Sequence, residues 1–309
     1  MNSNRRASTI VMSTAWLRQR ERGHLFFYRF IMWVALSIGR PAARFLLYPI
    51  CTYYLLFSFK ASRAIRGFFK VGLKRDVTVM TLFHHYYVFA STLLDRVYLW
   101  LGQFHRFTID VHGIEHLDLY ASRRQGCILL GSHLGSFEIV RAVGIATQQL
   151  EIKVLMHELN ASKIGGILRN LNPDIAETVI AIGDPSTMLE VKECVDRGGL
   201  VGIMGDRLVG KEHAVSCMFL GQKAFFPSGG IRLANAVRVP IVLFFGLYRG
   251  GNRYEIHFEP FADELKLNDS SREEELQAWT QRYAGRLEHY CRLAPDNWFN
   301  FYDFWQERL

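Results

Sequence analysis

From residue 76 onward, short apolar runs alternate with segments whose apolar positions recur every three or four residues. Strand-like runs fall at 107–111, 127–131, 152–156, 178–182, 200–204, 215–220, 224–226, 241–248 and 254–258. Helix-like stretches fall at 136–148, 161–171, 186–197, 230–237 and 270–293. Before them, Tyr86, Phe89, Leu93 and Val97 mark a helical stripe within 76–103. This alternation predicts one α/β domain with a central mixed sheet flanked by helices. Ser270-Ser271 ahead of Glu273-Glu274-Glu275 predicts a serine-capped start for the final helix, with acids at its positive end.

The first quarter is patterned differently. Apolar runs at 25–38, containing Arg29, and 45–59, containing Pro49, are separated by Gly39-Arg40-Pro41. Neither reaches the ~20 residues that cross a bilayer. The late start, the internal arginine and the lack of a small-residue cleavage site argue against a cleaved signal peptide. A helical hairpin entering one leaflet is expected, its arginines reaching back to lipid phosphates; a single tilted spanning helix or two ordinary core helices are the alternatives. The expected division is therefore 1–75, a basic apolar membrane-associating segment, and 76–309, the α/β domain.

Charge sharpens that division. The 309-residue chain carries +8 overall, and residues 1–75 hold 14 Lys or Arg against the single acid Glu21. The remainder is net acidic. Basic residues interleaved with apolar runs fit an anionic membrane surface and exclude a nucleic-acid module. Arg63, Arg66, Lys70, Lys74 and Arg75 flank the apolar part as expected on a cytoplasmic face. Five scattered cysteines, never spaced Cys-x-x-Cys, exclude a zinc site and point to a reducing compartment.

Several familiar chemistries fail on single residues. Gly205 to Lys211 follows a phosphate-binding loop until Glu212 replaces the magnesium-binding hydroxyl. His157-Glu158 lacks a second histidine at Ala161. No Gly-x-Ser-x-Gly elbow exists for a serine esterase. No metal or cofactor is expected.

Gly131-Ser-His-Leu-Gly-Ser-Phe-Glu138 is different. An apolar strand ends at a small-residue turn, His133 follows, and Glu138 stands in the first turn of the next helix. A carboxylate on one ring nitrogen fixes the tautomer and leaves the other free to take a proton from a hydroxyl. The beginning of the helix beside the ring favours the neutral imidazole. Gly135 permits a close approach, and Gly135 and Ser136 are expected on the substrate side. Composition alone gives about one His-x4-Asp/Glu pair by chance. The other, His105 with Asp110, reads as a strand, where an odd offset separates the faces.

This block resembles the His-x4-Asp/Glu block of the bacterial lipid A late acyltransferases, within the larger group that includes lysophospholipid acyltransferases. Gly202-Ile-Met-Gly-Asp206-Arg207, Phe219 to Pro227 with 231–236 and 239–242, and Pro295-Asp-Asn-Trp298 resemble further blocks in the same order. The family usually has Asp-Gln where this chain has Asp206-Arg207. The ending, Trp298-Phe-Asn-Phe-Tyr-Asp-Phe-Trp305, is similar to the branch found in aryl polyene (xanthomonadin-type) pigment clusters. The resemblance implies an acyltransferase at the cytoplasmic face of a bacterial inner membrane. Its donor is acyl-carrier protein or acyl-CoA, its acceptor a lipid, and its base His133 with Glu138.

Asp206 and Arg207 end an apolar strand, where α/β sheets place their sites, and Arg207 suits a phosphate on donor or acceptor. An Asp206–Arg207 surface pair is the plain alternative. Arg169 and Lys163 are weaker cationic candidates. Phe219, Phe225 and Phe226 fit the wall of an acyl-chain pocket, or simply core. The Trp298–Trp305 cluster fits a bilayer-interface belt or packing on the last helix. Backbone amides at the helix start, or a nearby cation, would receive the oxyanion. The competing functional class is a catalytically silent lipid-binding assembly protein of the same fold.

Overall fold

A computed structural model describes residues 25–148, 151–157, 172–209 and 213–305. All nine strand-like runs form strands: β1 Thr108–His112, β2 Cys127–Gly131, β3 Ile152–His157, β4 Val179–Ile182, β5 Leu200–Met204, β6 Ala214–Phe219, β7 Gln222–Pro227, β8 Ile241–Tyr248 and β9 Arg253–Ala262. Seven make one sheet in the order β1-β9-β8-β2-β5-β3-β4, while β6 and β7 pair apart as an antiparallel ribbon. The large sheet is mixed because β8 and β9 run antiparallel and its other pairs run parallel.

The helices are α1 Leu25–Ser37, α2 Arg40–Phe57, α3 Phe59–Gly67, α4 Val79–Trp100, α5 Glu115–Ser122, α6 Phe137–Gln148, α7 Pro173–Ala176, α8 Thr187–Asp196, α9 Gly229–Val237 and α10 Arg272–Leu293. The segment expected as a helix at 161–171, with Lys163 and Arg169, lies outside the described residues. The short α5 was not legible, since only Leu117 and Tyr120 are buried along it. The start of α10 corrects the expected cap. Ser271 makes no side-chain cap, its hydroxyl donating instead to Glu275 at 2.6 Å, although three acids do occupy the first turn.

Strands β2 and β8 are buried at every residue, as interior strands covered on both faces must be. α6 packs against β8 and α4, while α9 and α10 pack together, α9 also against β2. From β2 the chain moves toward β5, β3 and β4, whereas β8, β9 and β1 lie on its other side. The carboxyl end of β2 is thus where the strand order reverses, the place where open α/β sheets hold ligands.

The N-terminal helices are tied to this body. Arg40 on α2 forks onto Asp95 of α4 at 2.7 and 2.8 Å, and the Tyr254 hydroxyl donates to the same fully buried carboxylate at 2.8 Å. Tyr98 donates to the Ala35 carbonyl at 2.7 Å. Their outer faces remain uncovered: Phe30, Trp33, Phe45, Tyr53, Leu56, Phe57 and Phe59 are all exposed. No single described helix is long and apolar enough to cross a membrane. The pair Arg40–Phe57 and Phe59–Gly72 passes that test only together, bent by 87°. The spanning-helix alternative therefore has no straight described helix to carry it, whereas a bent apolar pair is compatible with entry into one leaflet.

Candidate active site

Strands β2 and β5 are parallel neighbours with Gly131 registered on Met204. His133 lies two residues beyond Gly131, and Asp206 two beyond Met204, so both emerge at the same edge. Asp206 Oδ1 accepts from His133 Nδ1 at 2.8 Å and from the His133 backbone N–H at 3.0 Å. The Trp298 indole donates to Oδ2 at 3.3 Å. Gly131 is braced from the α10 side, its carbonyl accepting from the Tyr283 hydroxyl at 2.7 Å and the Gly205 amide at 2.8 Å.

This corrects the pairing read from the sequence. A carboxylate does hold the His133 ring, but it comes from Asp206. Glu138 accepts from Arg141 Nε at 2.9 Å and Nη2 at 2.8 Å, one helical turn along α6, and both side chains are buried. No hydrogen bond joins His133 to Glu138 among the described residues. The first turn of α6 directs Glu138 toward its own helix partner and toward Arg96 of α4, whose charge it also feels.

With Nδ1 facing a carboxylate, that nitrogen carries the hydrogen and Nε2 is left as the basic lone pair. The His133 side chain keeps 38% of its surface open, whereas Asp206 keeps 1%. Burial, and then the Arg207 cation, lower the imidazole below its ordinary value, with Asp206 opposing them. Burial pushes the Asp206 carboxyl up, but the His133 ring and amide together with Arg207 outweigh it and hold the carboxyl low. The result is an ionised Asp206 beside a neutral histidine near pH 7.

The turn after His133 is fixed by backbone bonds. Gly135 has φ +73°, and a Cβ there would lie 1.9 Å from the Gly246 carbonyl oxygen. Its amide donates to Asn297 O and that of Ser136 to Gly246 O, both at 2.7 Å. Those two amides are therefore committed, which removes them from the expected oxyanion role. Ser136 is buried and its hydroxyl has no hydrogen-bond partner among the described residues.

The Pro295-Asp-Asn-Trp298 block completes this turn. Leu134 and Trp298 form an antiparallel bridge, and the Phe299 amide donates to the His133 carbonyl at 3.0 Å. Asn297 brackets Tyr248 of β8 through both its side-chain atoms, at 2.7 and 3.1 Å. Arg207 donates to the Phe299 carbonyl, so it is a tether to the tail as well as a cation beside His133. The surface-pair reading of Asp206 and Arg207 fails because Asp206 is buried.

Two of the three aromatic candidates are placed as core. Phe219 and Phe226 are fully buried and pack edge-on with each other, both also against Phe304 and, for Phe219, edge-on with Trp298. Phe225 is half-buried, with the Lys223 ammonium 5.7 Å from its ring centre. For Phe219 and Phe226 this is packing rather than an open pocket wall. In the tail, Trp298 is buried against Phe68, Phe219 and Phe304, so this residue packs inward rather than forming an interface belt. The control pair also separates, His105 standing on a 3₁₀ turn before β1 and Asp110 within β1.

The sequence reading missed Arg96 and Arg141. Arg141 is 3% exposed with Nη1 unpaired, and Arg96 and Arg207 each carry a buried, unpaired Nε among the described residues. Burial lowers the Arg96 guanidinium, and Arg207 lowers it further while Glu138 raises it. The i,i+3 spacing of Glu138 and Arg141 was the signal available. All five cysteines are buried free thiols, and no group of metal-ligating side chains occurs among the described residues.

The model of the bacterial lipid A biosynthesis acyltransferase family matches residues 17–307. The chain belongs to that family. It is accordingly an acyltransferase, acting with an acyl donor and a lipid acceptor, of a kind that is membrane-associated in bacteria. No curated protein matches the chain. The match spans the apolar N-terminal helices, the sheet and the tail, so the elements that build the His133 edge all lie inside the family region.

Proposed function

We propose that the protein moves an acyl group from an acyl thioester to a hydroxyl or amine of a lipid acceptor, with His133 as general base. The observation that carries this reading is the His133 ring held at Nδ1 by buried Asp206, with its other side open at the reversal point of the sheet. The acceptor O–H or N–H gives its proton to Nε2 as the oxygen or nitrogen attacks the thioester carbonyl. The C–S bond then breaks, and the thiolate leaves with the proton held on the imidazolium. Because the thioester is already activated, no covalent acyl-enzyme is required.

Charge on the attacked carbonyl needs a donor other than the Gly135 and Ser136 amides. Arg96 and Arg207, both within electrostatic reach of His133, are the cations nearest that need. Glu138 serves this arrangement indirectly, by holding Arg141 and offsetting Arg96. The donor is an acyl-carrier protein or acyl-CoA. The group moved is a fatty acyl or, following the tail's likeness to the pigment-cluster branch, an aryl polyene acyl, and the acceptor is a lipid A precursor, a lysophospholipid or another glycolipid.

The exposed aromatic side of α1–α3 supports seating at the inner-membrane surface, facing the cytoplasm, with apolar side chains entering one leaflet. The test supplies acyl-CoA and acyl-carrier protein thioesters to purified protein and to His133→Ala, reading thiol release. Lipid extracts of cells carrying either form are compared by mass spectrometry. The reading expects thiol release to fall by about 10²–10⁴-fold in the variant and one lipid to lose an acyl increment. Equal release by both proteins would overturn it.

A further inference from the structure

Away from His133, at the start of α2, a cleft of about 330 Å³ is lined by Arg40, Pro41, Arg44, Phe45, Tyr48 and Tyr87. The two arginines in it differ. Arg40 is neutralised by its fork onto Asp95. Arg44 pairs with no carboxylate among the described residues: its Nη1 donates to the Tyr248 hydroxyl at 2.8 Å and the Gly251 carbonyl at 3.0 Å, both uncharged. Its guanidinium lies 5.4 Å from the Tyr87 ring centre and 6.0 Å from that of Tyr248. The Tyr48 and Tyr87 rings pack against each other with centres 4.9 Å apart, so both phenols border the cleft.

One planar cation and a set of phenol donors thus face a common cleft, a combination suited to a tetrahedral anion. The rim indicates where the anion comes from. Phe45 is 73% exposed and Tyr48 50% exposed, and Tyr53, Phe57 and Phe59 further along are exposed as well. Aromatic rings beside a cation, flanking an uncovered apolar surface, are the arrangement found at headgroup level.

We propose that the Arg44 cleft is a binding site for the phosphate of an anionic lipid headgroup, separate from the catalytic edge. Arg44 grips the phosphate through its free guanidinium edge, and Tyr48 and Tyr87 add hydroxyl donors. Phe45 enters the acyl region beside it. The site would thereby set the depth and rotation of α2 on the bilayer.

The test measures sedimentation of the full chain with vesicles of phosphatidylcholine alone and of equal parts phosphatidylcholine and phosphatidylglycerol. Wild type is compared with Arg44→Lys, which keeps the charge but loses the fork, and with Tyr48→Phe, which removes one surface hydroxyl and leaves the fold undisturbed. Arg44→Lys should weaken binding to the anionic vesicles about tenfold, or about 1.4 kcal/mol. Tyr48→Phe should weaken it less, and binding to neutral vesicles should not change. Identical binding by all three proteins would assign the attraction to unspecific surface charge and overturn the proposal. If inorganic phosphate binds at constant ionic strength in an Arg44-dependent way while vesicle binding ignores both substitutions, the ligand is a soluble phosphate and the lipid assignment falls.

Discussion

Asp206 meets His133 twice through a single oxygen, Oδ1 accepting both the ring Nδ1–H and the backbone N–H. One carboxylate therefore sets the tautomer, the ring plane and the backbone that carries the ring. Substituting it disturbs chemistry before it disturbs packing. Asp206→Asn should lower kcat by about 10²–10⁴-fold, with KM for the thioester little changed. Glu138→Gln keeps an acceptor for Arg141 and should cost clearly less. Steady-state thiol release from both variants checks the order; a larger kcat loss in Glu138→Gln would reverse the assignment of the two carboxylates.

The pH profile follows from the charges around the ring. Burial and Arg207 lower the His133 imidazole below the ordinary 6.5, and Asp206 raises it. A base works when neutral, so kcat should be lost as pH falls through an inflection below 6.5. Arg207→Gln removes a lowering influence, and the inflection should move upward. Asp206→Asn removes a raising one, and the residual activity should inflect at lower pH. Single-turnover rates between pH 4 and pH 8 would show both directions.

Glu138 is a buried carboxylate paired with Arg141 and close in charge to Arg96. Glu138→Ala leaves Arg141 buried with nothing opposite it, which should cost about 3–5 kcal/mol of stability. The paired replacement Glu138→Leu with Arg141→Leu removes both charges and should recover most of that loss. Urea unfolding of wild type, the single variant and the paired variant checks both the loss and its recovery.

Gly135→Ala tests the turn. Its φ of +73° is strained for any side chain, and the new methyl would overlap the Gly246 carbonyl. Stability should fall by about 1–3 kcal/mol. Activity should fall further than stability accounts for, because the same turn carries His133. Comparing kcat at a temperature where the variant stays folded separates the two effects.

His85 should confer acid sensitivity. It is buried among Phe69, Phe299 and Phe301, and neither ring nitrogen has a hydrogen-bond partner among the described residues. Burial, and then His84, lower it to about 3. Between the unfolded value near 6.5 and about 3 the unfolded chain binds the extra proton, so stability drains away as pH falls through that window. His85→Phe should flatten the decline, seen as a smaller drop in urea midpoint between pH 7 and pH 4.

Strands were legible because each needs only a local apolar run, and β2, β5 and β8 occupy the residues read for them. The helix α4 was legible from its stripe. The partner of His133 was not, because β3 and β4 intervene along the chain between β2 and β5, and only tertiary pairing brings Gly131 beside Met204. A nearby carboxylate at helical spacing, Glu138, was therefore the natural reading, although a closer salt bridge to Arg141 claims it. The tail was ambiguous for a similar reason. Its aromatic richness fits water–lipid boundaries and protein interiors alike, and the indole of Trp298 on Asp206 is what separates the two.

Residues Asn297–Phe299, which clamp the His133 turn, are synthesised long after the strands that carry His133 and Asp206. Strands β2 and β5 emerge well before that clamp, so the imidazole lacks the indole brace and the backbone clamp until translation has passed Phe299. A polypeptide cut short before Asn297 would therefore carry its imidazole without the brace and the clamp that hold its turn.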